Sequence, residues 1–107
     1  MPPSSAAWCA TQIPDRDDSS IDLGDIRQQT RQTLTNLADS LSRAHGDLSR
    51  LLHLTIHLTD IEDRDAFNEV YAEVVSRPYP VRCCVAVAAL AVEGMRVEVT
   101  ALAARAV

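Results

Sequence analysis

Between residues 26 and 75 the apolar residues change their spacing twice, and few folds accept such a pattern. In "DIRQQTRQTLTNLADSLSRAHG" they fall at intervals of three and four: Ile26, Thr30, Leu34, Leu37, Leu41 and Ala44. That spacing puts them on one stripe of an α-helix. Asp25 with Gln28 has the form of a capping box, and Gly46 is a natural stop. Arg27, Arg31, Asp39 and Arg43 lie opposite the stripe and are expected in solvent. In "LLHLTIHLTD" the period becomes two. Leu52, Leu54, Ile56 and Leu58 share one face of a strand, and His53, Thr55, His57 and Thr59 share the other. Helical spacing then returns through Ala66, Phe67, Val70, Tyr71, Val74 and Val75, with Asp63 expected as the N-cap and Pro78 closing the element.

The flanking segments complete the pattern. "AAWCATQI" reads as a strand stopped by Pro14, after a short tail "MPPSS", and "PDRDDSSIDLGD" reads as a polar loop. "VRCCVAVAAL" reads as a buried strand, and "MRVEVTALAA" follows it across a turn near "AVEG". The order is strand, helix, strand, helix, strand, strand, which predicts an α+β domain of two layers. The 107 residues suit one domain, 1–107. Both helices should cover one sheet face, leaving His53 and His57 on a face that meets water or another subunit.

Charge and composition exclude several functions. A formal charge of -5 argues against nucleic acid or an anionic membrane as partner. All ten basic residues are Arg, which rules out a lysine Schiff base and a lysine-bearing phosphate loop. No apolar run has the length of a membrane helix, and no basic, apolar leader is seen at the N-terminus. Cys9, Cys83 and Cys84 are odd in number with two adjacent, a poor disulfide framework. Free thiols and a cytoplasmic setting are expected.

No metal is called for. His53 and His57 sit about 13 Å apart on a strand, too far to share an ion. Cys84 reads first as a small buried hydrophobe, and as a nucleophile only if Arg82 lowers its pKa. Arg82 is the outlier, a guanidinium opening a strand of small residues. It shares a face with Cys84, Ala86 and Ala88. Small neighbours leave room for a planar carboxylate, which a guanidinium holds at two points. If the last two strands form a hairpin, Glu98 lies near Arg82. Spacing alone then favours an Arg82–Glu98 ion pair over a ligand site.

Several segments, in this order, resemble the Rid family of reactive-intermediate deaminases, also called YjgF-like or L-PSP proteins. They are "TQIPDRD", the long stretch from "RQTLTNLADS" through "HLTD" to "FNEVY", then "RPYPVRCCVAVAAL" and "RVEVTALA". The resemblance runs from about Trp8 to Ala103. It implies a chorismate-mutase-like fold, a mixed sheet with two helices on one face, assembled as a homotrimer with clefts between subunits. It implies a chain shortened at the N-terminus, because family members begin with an extra strand carrying a P-Y-S-Q-like segment. Deaminases of the family hydrolyse 2-imino acids and their enamine tautomers to 2-oxo acids and ammonia, without a cofactor.

By that resemblance Arg82 holds the substrate carboxylate and Glu98 orients and activates water. Cys84 offers its backbone N–H, and Thr11 stands where the family has glycine beside the ligand. The implied partners are a small imino or 2-oxo acid and further copies of the chain. The alternatives are a non-catalytic ligand-binding or regulatory trimer, a specialised member in a biosynthetic pathway, and a ribonuclease. The charge disfavours the last.

Overall fold

The computed structural model describes residues 7–104. The chain runs β1 (Ala7–Gln12), α1 (Ile26–Arg43), β2 (Leu51–Leu58), α2 (Arg64–Val74), β3 (Val81–Ala86) and β4 (Val97–Ala104). The four strands form one mixed sheet in the order β1-β4-β2-β3. β4 is antiparallel to both neighbours, and β3 runs parallel to β2. A parallel pair needs a crossover, and α2 supplies it.

Two expectations about the last strands therefore fail. β3 and β4 are not a hairpin, because β2 lies between them. The ten residues between them carry β4 past β2, so that β4 fills the place between β1 and β2. β3 is also not buried. It is an edge strand ending at Ala86, and only Cys84 of its six residues is partly covered.

α1 and α2 cover one sheet face. Leu34, Leu37, Leu41, Phe67, Val70 and Tyr71 meet Leu54, Ile56, Leu58, Val97, Val99, Ala101 and Ala103 in a single core. Each fully buried large side chain contributes about 1.5–3 kcal/mol, so this layer carries most of the stability. Two ion pairs, Arg27–Glu69 and Arg31–Glu73, cross the outside of the helix pair.

The caps depart in detail from the sequence pattern. Asp25 and Gln28 do form a capping box on α1. At the other end the left-handed residue is His45 (φ 62°), not Gly46. His45 N–H donates to the Ser42 carbonyl and Gly46 N–H to the Leu41 carbonyl, the bonding of a Schellman close. Asp63 precedes α2 but makes no side-chain cap. Its carboxylate instead takes Arg96 at two points, Nη2–Oδ1 2.6 Å and Nε–Oδ2 3.1 Å. On β2 the inward set is Leu51, Leu54, Ile56 and Leu58, while Leu52 is exposed. A register shift between Leu51 and His53 displaces the alternation at that end. Among the described residues no helix is long and apolar enough to cross a membrane.

Candidate functional site at the sheet edge

Register assigns each candidate to a face. Arg82 pairs with Leu54 and Cys84 with Ile56, both core residues, so Arg82 and Cys84 lie on the helix-covered face at the β3 edge. Glu98 pairs with His57, and Thr100 with Thr55 and Thr11. These residues lie on the uncovered face. The four candidates thus form two pairs in one protomer, Arg82 with Cys84 and Thr11 with Glu98, on opposite faces of the sheet. The Arg82–Glu98 ion pair favoured by spacing is not made within the protomer. The hairpin it required does not exist.

Arg82 is held by α2. Its Nη1 donates to Asn68 Oδ1 at 2.8 Å, and its guanidinium carbon sits 4.4 Å from the centre of the Tyr71 ring. The ring face fixes the plane of the guanidinium, and Asn68 holds one corner. Tyr71 is buried and also contacts Phe67 and Tyr79, so the platform is rigid. Burial raises the pKa of the Tyr71 hydroxyl, Arg82 opposes that shift, and Tyr79 adds to it. Arg82 makes no ion pair among the described residues.

Cys84 stands beside it. Burial pushes the thiol pKa up; Arg64 and Arg82 pull it down by less, and Cys83 adds a small rise. Arg82 acts in the direction anticipated from the sequence, but desolvation is larger, so the net shift is upward and does not favour the thiolate. The backbone is more informative. Val87 N–H donates to the Leu58 carbonyl, toward β2. Successive N–H groups of a strand alternate in direction, so that of Cys84 points outward from the free edge.

On the uncovered face Glu98 and His57 are each about a quarter exposed (28% and 26%), with Oε2 and Nδ1 3.9 Å apart. His57 Nδ1 is buried without a hydrogen-bond partner in the protomer. Thr11 Oγ1 lies 3.0 Å from Thr100 Oγ1. The loop after β1 is tied to α1 by Asn36, whose Nδ2 donates to the Ile13 and Asp15 carbonyls at 2.9 and 2.8 Å.

Two open clefts, of about 900 and 660 Å³, lie between α1 and the loop around Arg16, and none of the four candidates lines them. Both are open to solvent, and most of their lining comes from α1 and the loop. Arg82 and Cys84 lie apart from them, at the β3 edge, which is open on one side. The sequence reading missed Asn68, Tyr71 and His57. The signal for the first two was present: Asn68 and Tyr71 are three residues apart on a helix and share a stripe. The assumed hairpin hid which strand that stripe meets.

A family profile described as Endoribonuclease L-PSP matches residues 4–105. The protein mmf1, mitochondrial, of Schizosaccharomyces pombe is 38% identical over 98 residues, 90% of this chain and 60% of that protein. A 2-iminobutanoate/2-iminopropanoate deaminase of Capra hircus is 36% identical over 80 residues, 75% of this chain and 58% of that protein. The chain thus spans less than two thirds of the length of either. The crystal structure of RidA from an Antarctic Psychrobacter superposes with a TM-score of 0.83 at 29% identity, covering 89% of this chain and 76% of that one. The element order, the helix-covered mixed sheet and the match over nearly all residues agree, and this chain belongs to the L-PSP family, the Rid or YjgF-like proteins.

Proposed function

We propose that the protein hydrolyses 2-imino acids and their enamine tautomers to 2-oxo acids and ammonia, as a homotrimer. In the proposed assembly Arg82 and Cys84 of one protomer face Thr11 and Glu98 of its neighbour. The observation that carries the reading is the Arg82 guanidinium: its plane is fixed on Tyr71, one corner is held by Asn68, and it has no carboxylate partner among the described residues. Such a group is preorganised for a planar carboxylate.

A protonated imine is already electrophilic, so the protein's task is positioning and proton transfer. Arg82 and the outward Cys84 N–H hold the carboxylate. Water adds to the imine carbon, the C=N π pair moves to nitrogen, and Glu98 accepts the proton released by the water. Returning that proton to nitrogen lets the C–N bond break as ammonia leaves, and Glu98, now deprotonated, takes the hydroxyl proton as C=O forms; that proton then passes to the ammonia, which departs as ammonium. The second partner is needed because Glu98 lies on the other sheet face of its own protomer. The three unpaired thiols suit a reducing compartment, cytoplasmic or mitochondrial, the latter being the printed location of the fission-yeast relative.

The test is release of 2-oxo acid from freshly generated imino acids, with 2-oxo acid affinity measured beside it. Arg82→Ala and Arg82→Lys should each lose on the order of 2–4 kcal/mol of transition-state binding, roughly thirty- to a thousand-fold in kcat/KM. An ammonium cannot reproduce the two-point contact. Glu98→Gln should keep product affinity and lose hydrolysis, because an amide is a negligible base. Unchanged carboxylate affinity in Arg82→Ala removes the ligand-holding role. Tight binding without turnover by the wild type identifies a non-catalytic binding trimer instead. RNA cleavage that Arg82→Ala abolishes would favour the ribonuclease reading.

A further inference from the structure

We propose that Arg64 is a second anion-binding group beside Arg82, and that the groove between α2 and β3 selects substrates with two carboxylates, the 2-imino dicarboxylic acids. The chemistry rests on the deaminase reading, whereas the binding preference does not.

The first observation is charge. The chain has 15 carboxylate residues and a net charge of -5, so an arginine without an acidic partner is not short of candidates. Arg16, Arg27, Arg31, Arg43 and Arg96 are each paired with a carboxylate. Among the described residues Arg50, Arg64, Arg77 and Arg82 are not. Three of these four border one edge, along α2 and β3.

The second observation is geometry. Arg64, Asn68 and Tyr71 are four and three residues apart on α2 and therefore share a stripe. Asn68 and Tyr71 both touch Arg82, so this stripe faces β3. α2 is the crossover between parallel strands and runs opposite to β3. Moving from Tyr71 back to Arg64 therefore moves from Arg82 forward along β3 to Cys84 and Ala86. The displacement is about 10 Å along the helix for the seven residues, and about 7 Å along the strand to Cys84 or about 13 Å to Ala86. Consistent with this, both the Arg64 and the Arg82 guanidinium act on the Cys84 thiol. The floor between them is Cys84 and Ala86, small side chains that leave room above the strand.

Two guanidiniums over a small-residue floor match a short diacid. Arg82 takes the carboxylate next to the imine carbon, and Arg64 takes the distal one. A long polyanion fits less well, because the exposed Glu62 and Asp65 flank Arg64 in sequence and repel a phosphate chain. Arg77 provides a built-in comparison. It carries the same charge on the same edge but lies 5.5 Å from the Tyr79 ring, on the Tyr79 side of the platform.

The experiment uses the full chain in its natural assembly. Binding of 2-oxoglutarate and of 2-oxobutanoate is measured by calorimetry for wild type, Arg64→Gln and Arg77→Gln. Hydrolysis of the corresponding imino acids is followed in parallel. The wild type should favour the diacid by about tenfold or more, and Arg64→Gln should lower that preference by about ten- to a hundred-fold. Arg77→Gln should alter it by no more than about twofold. Absence of a diacid preference in the wild type overturns the proposal. So does a preference unchanged in Arg64→Gln, or one reduced equally by both variants, since that would be diffuse charge. An Arg64-dependent preference without hydrolysis retains the proposal and defeats the deaminase reading. Hydrolysis of 2-iminobutanoate without a diacid preference does the reverse.

Discussion

Arg82 was conspicuous in the sequence because a guanidinium amid small residues needs a reason, and the reason depends on neighbours that sequence spacing cannot supply. Its actual neighbours, Asn68 and Tyr71, come from α2 and not from the adjacent strand in the chain. Gln29 was silent for the same cause. It is fully buried, donates to the Gly24 and Gly94 carbonyls at 3.0 Å, and accepts from the Arg96 N–H at 2.7 Å. Partners so far apart in the chain leave no local pattern. Cys84 gives a prediction at this scale. Burial raises its pKa, so less thiolate is present at any given pH than for an ordinary cysteine. Its alkylation rate should still be climbing above about pH 8.5, the usual thiol midpoint. Cys84→Ser should keep turnover within a few-fold, given the absence of an assigned base. A rate plateau near pH 7, or loss of turnover with the assembly intact, would show an activated nucleophile.

At the level of elements, α1 was legible because its period and its capping box agree. Of the residues the spacing selected, Ile26, Thr30, Leu34, Leu37 and Leu41 are buried, whereas Ala44 is the C-cap beyond the helix, and the polar Gln29 and Thr33 are buried with them. β2 was legible except at its start, where the shift at Leu51 and Leu52 breaks the alternation that identified it. β4 was legible as a strand whose even-numbered residues face outward. Its central position was not, because period two marks a strand without naming its partners. The close of α1 yields a second prediction. His45 holds a left-handed conformation that costs an L-residue roughly 1–2 kcal/mol relative to glycine. His45→Gly should raise stability by about 0.5–1 kcal/mol after the entropy of the unfolded glycine is subtracted, as read by chemical denaturation. No gain would mean that the imidazole makes a contribution of its own in this turn.

On the scale of the molecule, the uncovered sheet face decides what the chain can be. It presents His53, Thr55, His57, Glu98 and Thr100 together with the exposed apolar residues Val81, Val85 and Leu102. A face of this mixed kind suits contact with further copies, and the proposed site is incomplete without one. Leu102→Asp should therefore dissociate the assembly and abolish turnover while leaving helix content intact, because Leu102 is not in the core. Sedimentation and circular dichroism would check it. A wild-type monomer at micromolar concentration would remove the trimer, and with it the composite site. The sheet order has a consequence for synthesis on the ribosome. β1 and β2 do not touch each other except through β4, the last strand described in the chain. Until residues 97–104 emerge, the nascent chain can make its helices and pair β2 with β3, but β1 has no neighbour and the sheet has no middle. Of the four described strands the one translated last is the keystone, so a ribosome that stalls before it leaves two unfinished halves.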